Sequence, residues 1–86
     1  MEQCGYLMAI LQENRVETAT KVQEVLTRNG CSIRVRLGLH DAGVGSCSNS
    51  GLILLQICGE KADAEKLQAD LQSVPHVKAK MMSLDF

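Results

Sequence analysis

The chain has 86 residues, a formal net charge of −1 at pH 7 and a hydrophobic fraction of 45%. This length fits a single domain over residues 1–86, with no room for a second core. The near-neutral charge argues against a general binder of nucleic acid or of membrane surfaces. The longest apolar stretches are strand-length, so we expect neither a signal peptide nor a membrane span, and we expect a cytoplasmic protein.

The first predicted elements are a strand and a helix. An apolar run from Tyr6 to Leu11 is typical of a buried strand. A helix is predicted from Asn14 to Asn29, with Asn14 as N-cap and Glu17 bonding back to it as a capping box. Gly30 ends this helix. Its predicted buried stripe consists of Val16, Ala19, Val22, Val25 and Leu26.

A second strand, Ser32 to His40, alternates almost strictly between apolar and polar residues. Its apolar residues should face the helices, namely Ile33, Val35, Leu37 and Leu39. That orientation leaves Arg34, Arg36 and His40 on the open face of the sheet. We interpret this segment as an edge strand, since edge strands often carry charge.

Three more elements follow the glycine- and serine-rich loop at 42–51. They are an apolar strand from Leu52 to Cys58, a helix from Lys61 to Gln72 that Pro75 prevents from continuing, and a strand from Val77 to Leu84. This order predicts an α+β, ferredoxin-like βαββαβ two-layer sandwich: an antiparallel four-stranded sheet with two helices on one face.

The first and third strands are apolar on both faces, although helices cover only one face of such a sheet. The simplest cover for the other face is another copy of the protein. We therefore expect a homo-oligomer, either a dimer or a tetramer.

The four cysteines, Cys4, Cys31, Cys47 and Cys58, contain no Cys-x-x-Cys pair and match no zinc pattern. In a chain without an export signal we expect reduced thiols.

Arginines provide the candidate anion sites. Arg34 and Arg36 lie two residues apart on one strand and could hold a carboxylate or phosphate; the alternative is that they pair with acidic residues or form a solvated edge. Asn14-Arg15 lies at a helix N-terminus, which offers free N–H groups to an anion. The alternative is an ordinary helix cap beside a surface arginine. Gly43, Gly45 and Ser46 give a weaker signal for an anion-binding nest.

His40 is the candidate metal ligand, with Cys47 or a symmetry-related histidine completing the site. The alternative is an ordinary exposed histidine at a strand end. No nucleophile and base can be assembled from nearby residues, so we predict that the protein is not an enzyme and needs no cofactor. A small ferredoxin-like enzyme acting on a carbonyl substrate is the remaining alternative.

The segment from Tyr6 to about Leu84 resembles a family of small regulators of the iron-only hydrogenase system. These are ACT-like, ferredoxin-fold proteins, related in fold to the C-terminal domain of the nickel-responsive regulator. The resemblance rests on the apolar first strand running into Asn14-Arg15, the segment Arg34-Val35-Arg36-Leu37-Gly38, the hairpin glycine Gly43, and the ending from Leu67 to Lys80.

The resemblance implies an oligomeric, non-enzymatic regulator that senses a small effector. In ACT-like proteins effectors tend to lie between subunits, and the matching places here are held by Asn14, Arg15, Arg36, Gly38 and His40. We expect Arg15 and Arg36 to hold an anion, Gly38 to allow close approach and His40 to orient the effector. The nickel regulator's DNA-binding ribbon-helix-helix is absent, so a transcriptional role would not involve direct DNA binding.

Overall fold

The computed structural model describes residues 4–40 and 50–86, with the side chains of residues 39 and 40 excepted. The elements are β1 (Tyr6–Gln12), α1 (Arg15–Arg28), β2 (Ile33–His40), β3 (Gly51–Ile57), α2 (Lys61–Gln72) and β4 (Val77–Ser83). A short 3₁₀ turn at Gly30–Ser32 connects α1 to β2. Neither of these helices is long and apolar enough to cross a membrane.

The four strands form one antiparallel sheet in the order β2-β3-β1-β4. The first and third strands are therefore central, and β2 and β4 are the edges. With two helices connecting the strands, this is the predicted ferredoxin-like βαββαβ fold.

The core lies between the helices and one face of the sheet. Alternation places Met8 and Ile10 of β1, and Ile53, Leu55 and Ile57 of β3, on the helix-facing side, where all are buried. The helices bury residues at helical spacing against this face. These residues are Val22, Val25, Leu26, Ala64, Leu67 and Leu71.

The start of α1 differs from the expected capping box. Asn14 has a left-handed backbone (φ 51°) and its side chain makes no capping hydrogen bond, because an N-cap side chain reaches the helix amides from an extended backbone. Thr18 is buried instead, and its hydroxyl donates to the Asn14 carbonyl oxygen at 3.1 Å. The predicted buried position of Val16 is also wrong: Val16 is 84% exposed.

From Val35 to Leu37, the orientation of β2 is the reverse of the prediction, whereas Ile33 packs against the core as predicted. An irregularity in pairing between Ile33 and Val35 adds one residue on the β2 side, and this bulge turns Val35, Arg36 and Leu37 to the faces opposite those predicted. Arg36 therefore pairs with buried Leu55 on the helix-facing side. Val35 and Leu37, which were expected in the core, are about half exposed on the open face, at 49% and 51%.

Cys4 and Cys58 form a disulfide. The expectation of reduced thiols is therefore wrong for these two residues, which the paired strands β1 and β3 bring together at one end of the sheet. Cys31 is exposed and free, and Cys47 lies outside the described residues.

Candidate functional site

A cleft of about 420 Å³ lies between the first half of α1 and the adjoining end of β2, β3 and β1. It is on the helix-facing side of the sheet, beside the edge strand β2. Its volume is within the range of small-molecule sites in proteins. The lining residues are Gln12, Arg15, Val16, Ala19, Gln23, Arg36, Gly38, Gly51, Leu52 and Ile53.

Arg36 reaches this cleft because the bulge in β2 turns it toward α1. Its Nη1 donates a hydrogen bond to Oε1 of Gln23, in the middle of α1, at 2.9 Å. This contact fixes one end of the guanidinium group, while the residue as a whole is exposed. The other donors of a guanidinium are arranged for bidentate contact with a carboxylate or phosphate.

Arg15 is the first residue of α1, and its side chain lies across Gly51 at the start of β3. A Cβ atom at position 51 would be 3.0 Å from Cδ of Arg15, closer than such atoms normally approach. Glycine at this position therefore gives the arginine room to pack against the strand. The Nε atom of Arg15 is buried, so the stem of the side chain belongs to the wall of the cleft.

Gly38 contributes open space. A Cβ atom added there would meet nothing within 4 Å, although Gly38 pairs with the buried Ile53 and lies in the cleft wall. The expected role of Gly38 in close approach to a ligand remains a prediction.

The electrostatics of the cleft favour an anion. Its charged side chains are Arg15 and Arg36, and the lining that the structure describes contains no aspartate or glutamate. The N-terminus of α1, which carries a partial positive charge, begins at Arg15. A charge-assisted hydrogen bond from guanidinium to an anion is roughly twice as strong as a neutral one.

Of the predicted effector residues, the structure brings Arg15, Arg36 and Gly38 together in one cleft. Asn14 precedes α1 directly but is not part of the described lining. His40 ends β2, and its side chain lies outside the description. The expectation that Arg34 and Arg36 act side by side on the open face is wrong, because the bulge turns Arg36 toward the helices.

Two further residues of the cleft were not predicted. Gln12 follows Met8 and Ile10 on the buried face of β1 and is only 5% exposed. A polar residue at a position where alternation predicts burial can indicate a site. Gln12 was missed because the predicted strand ended with the apolar run at Leu11. Gln23 is an exposed residue in the middle of a helix, and nothing in its sequence neighbourhood distinguishes it from other surface positions.

The metal hypothesis has no support from the described part of the chain, where no group of three or more potential ligands among His, Cys, Asp and Glu is found. Cys47, Gly43, Gly45 and Ser46 lie outside that part. The proposed roles of His40 and Cys47 as ligands, and of the glycine-rich loop as a nest, remain predictions.

Solved structures show which proteins share this architecture. An uncharacterized protein from Thermotoga maritima superposes with a TM-score of 0.79 at 24% identity, covering 93% of this chain and 95% of that one. A candidate PII-like signalling protein from Thermus thermophilus gives 0.59 at 20% identity, with 96% and 90% covered. CPII, a nitrogen regulatory PII-like protein from Thiomonas intermedia bound to ADP, AMP and bicarbonate, gives 0.55 at 12% identity, with 95% and 93% covered.

These likenesses establish a fold shared with small PII-like proteins. No protein-family model matches the chain, and comparison with curated protein sequences found no relative. The assignment to the regulators of the iron-only hydrogenase system is therefore not confirmed by them.

Proposed function

We propose that the protein is a small regulatory module that binds an anionic effector in the cleft between α1 and β2. The observation that carries this proposal is the convergence of Arg15 and Arg36 on a cleft whose described lining has no carboxylate. Both arginines are positioned by the protein itself, Arg15 by packing over Gly51 and Arg36 by its bond to Gln23. Such preorganisation lowers the cost of ordering side chains on binding.

The fold neighbours suggest which anions to test first. CPII was solved with ADP, AMP and bicarbonate, all of which carry negative charge at neutral pH. We propose an effector of this kind, a phosphate-bearing nucleotide or a small carboxylate-like anion. We propose no catalytic step, because the described lining supplies two cations and two amides but no nucleophile paired with a base.

The wider role follows the sequence resemblance. We propose that the protein acts in the cytoplasm through a partner protein, as expected of a regulator of the iron-only hydrogenase type. The effector site beside β2 is at an edge of the sheet, a position that a second subunit can border. The described lining of the cleft comes from a single chain, so the proposed site does not require the second subunit, and the expected placement of the effector between subunits remains a prediction.

Isothermal titration calorimetry with ADP, AMP and bicarbonate tests the anion site. We expect at least one of them to bind, and Arg36→Gln to weaken that binding about tenfold or more, because a hydrogen bond to a charged group contributes about 1.5–3 kcal/mol. The matched control is Arg28→Gln, which removes the same charge from an exposed position in the last turn of α1. Equal affinities of Arg36→Gln and wild type, or equal losses in both variants, would contradict the assignment.

A further inference from the structure

The sheet face that turns away from the helices is apolar and uncovered in the single chain. Its large side chains are between 36% and 56% exposed: Leu7, Val35, Leu37, Leu52, Leu54 and Met82. They come from all four strands, so the patch runs from one edge of the sheet to the other. Monomeric proteins rarely expose contiguous apolar patches of this extent.

The register of the strands arranges this face in rows across the sheet. The central row reads Leu37, Leu54, Ala9 and Lys80 from β2 to β4. The small side chain of Ala9 leaves a hollow of about 430 Å³ next to Leu54, bounded also by Leu7, Lys80 and Met82. Leu54 and this hollow thus lie side by side at the centre of the face.

Among the described residues that the strand register places on this face, the charged ones lie at one edge. Lys78 and Lys80 both lie on β4, whereas the opposite edge strand, β2, presents Val35 and Leu37. If two copies met with β4 over β4, the lysines of both would come together and repel each other. If β2 of each copy lay over β4 of the other, the lysines would be kept apart and their aliphatic stems would cover leucine and valine.

We propose that the open face is covered by the same face of a second copy, with the two-fold axis running nearly along the strands. In this arrangement β2 lies over the partner's β4, and β3 lies over the partner's β1. Leu54 then enters the hollow beside the partner's Ala9, and symmetry makes the same contact twice. Two sheets packed in this way keep their strands within about 30° of each other.

The area of the open face fits a second copy of the chain better than it fits a small apolar ligand. Four strands about 4.8 Å apart and some seven residues long give a planar footprint of roughly 20 by 23 Å on each copy. Two such footprints, with the relief of the side chains added, reach the ~1,000 Å² that a specific interface needs. A ligand filling only the hollow would leave Val35 and Leu37 at the far edge exposed.

This inference is independent of the proposed anion site, which lies on the opposite face of the sheet. Sedimentation equilibrium at 1–100 μM, a range of roughly typical assay concentrations, provides the first test. The wild type is expected to be a dimer and Leu54→Asp a folded monomer. The dissociation constant of the dimer should rise about a hundredfold in this variant, because a carboxylate would be buried in an apolar interface. Phe86→Asp is the control, since Phe86 is exposed and lies beyond the end of β4.

The arrangement itself is tested by exchanging the large and the small residue. Ala9→Leu puts a larger side chain into the space that the partner's Leu54 enters, and this overpacking should weaken the dimer about tenfold, although the variant adds apolar surface. Ala9→Leu combined with Leu54→Ala should restore dimerisation, because the projection and the hollow then exchange places in both copies. Ala9→Leu also keeps the test valid if Leu54→Asp fails to fold, which circular dichroism reveals.

Several outcomes would overturn the proposal. They are a monomeric wild type, an oligomer that persists in folded Leu54→Asp, a trimer in place of a dimer, or a monomer carrying a bound lipid by native mass spectrometry. A dimer strengthened by Ala9→Leu alone would overturn the predicted contact between Leu54 and the partner's Ala9.

Discussion

Two arginines that are far apart in the chain reach the same cleft for different local reasons. Arg15 lies across a strand whose glycine, Gly51, allows close packing. Arg36 is turned inward by the bulge in β2 and held by Gln23. The proposed anion site therefore depends on single uncharged residues, Gly51 and Gln23, as well as on the two arginines.

Gly38→Val should abolish effector binding without loss of stability. A side chain at position 38 has open space around its Cβ and would extend into the cleft, and valine is favoured over glycine in a strand. Calorimetric titration with whichever of ADP, AMP or bicarbonate binds the wild type measures the loss, and thermal unfolding measures stability. Gly5→Val, also in open space but remote from the cleft, is the control. Retained affinity in Gly38→Val would show that the ligand does not occupy this part of the cleft.

His76→Gly should raise the free energy of unfolding by up to about 1 kcal/mol. His76 is exposed and has φ 67°, a left-handed conformation that glycine adopts at no steric cost while other residues lose about 1–2 kcal/mol. Urea unfolding measures the change. Asn14→Gly, at φ 51°, should raise the free energy of unfolding by less, since asparagine tolerates the left-handed region well. An unchanged or lowered stability of His76→Gly would contradict the argument.

At the scale of the elements, the sequence predicts the helices and strands to within a residue or two. Proline and glycine positions, polar helix faces and strand alternation are all local signals, and they agree with the topology. The orientation of β2 could not be predicted in the same way. Alternation along β2 shows which of its side chains are apolar, but it assigns them to the core only when the open face of the sheet is polar. Here the open face of the sheet is also apolar. The pattern therefore allows both orientations, and the bulge selects the one that the rule did not favour.

The candidate site shows the same limit. Arg15, Arg36 and Gly38 were identified from their places in the chain and from the family resemblance, yet Arg36 was assigned to the wrong face. The contribution of Gln23 depends on the packing of α1 against β2 and has no local signature. Arg34 and Arg36 look equivalent in the sequence, and only the bulge between Ile33 and Val35 distinguishes them.

Removing the disulfide should destabilise the fold. The bond joins residues with a sequence separation of 54, for which the loss of chain entropy in the unfolded state corresponds to about 4 kcal/mol, although measured effects are often nearer 2. We expect Cys58→Ser to lower the free energy of unfolding by about 2–4 kcal/mol. Cys31→Ser, at an exposed free thiol, should change it little. Equal stabilities of Cys58→Ser and Cys31→Ser would show that the bond is not formed in solution.

At the scale of the whole molecule, the two faces of one sheet have different properties. The helix-facing side carries the arginine cleft beside β2, and the open side carries the apolar face. This separation predicts that Leu54→Asp, even as a monomer, binds the effector within about twofold of the wild type, as for sites that do not interact. Titration calorimetry on the two proteins makes the comparison. A loss of binding with the dimer would show that the site needs both subunits.

The most direct test of the anion site is a ¹H–¹⁵N NMR titration of the wild type with ADP, AMP and bicarbonate in turn. For at least one of these ligands we predict saturable shifts of the Arg15, Gly38 and Gly51 amides and of the Arg36 side-chain Nε–H, all of which disappear in Arg36→Gln. No saturable shift with any of the three, or shifts centred on Lys78 and Lys80 instead, would contradict an effector site in the cleft.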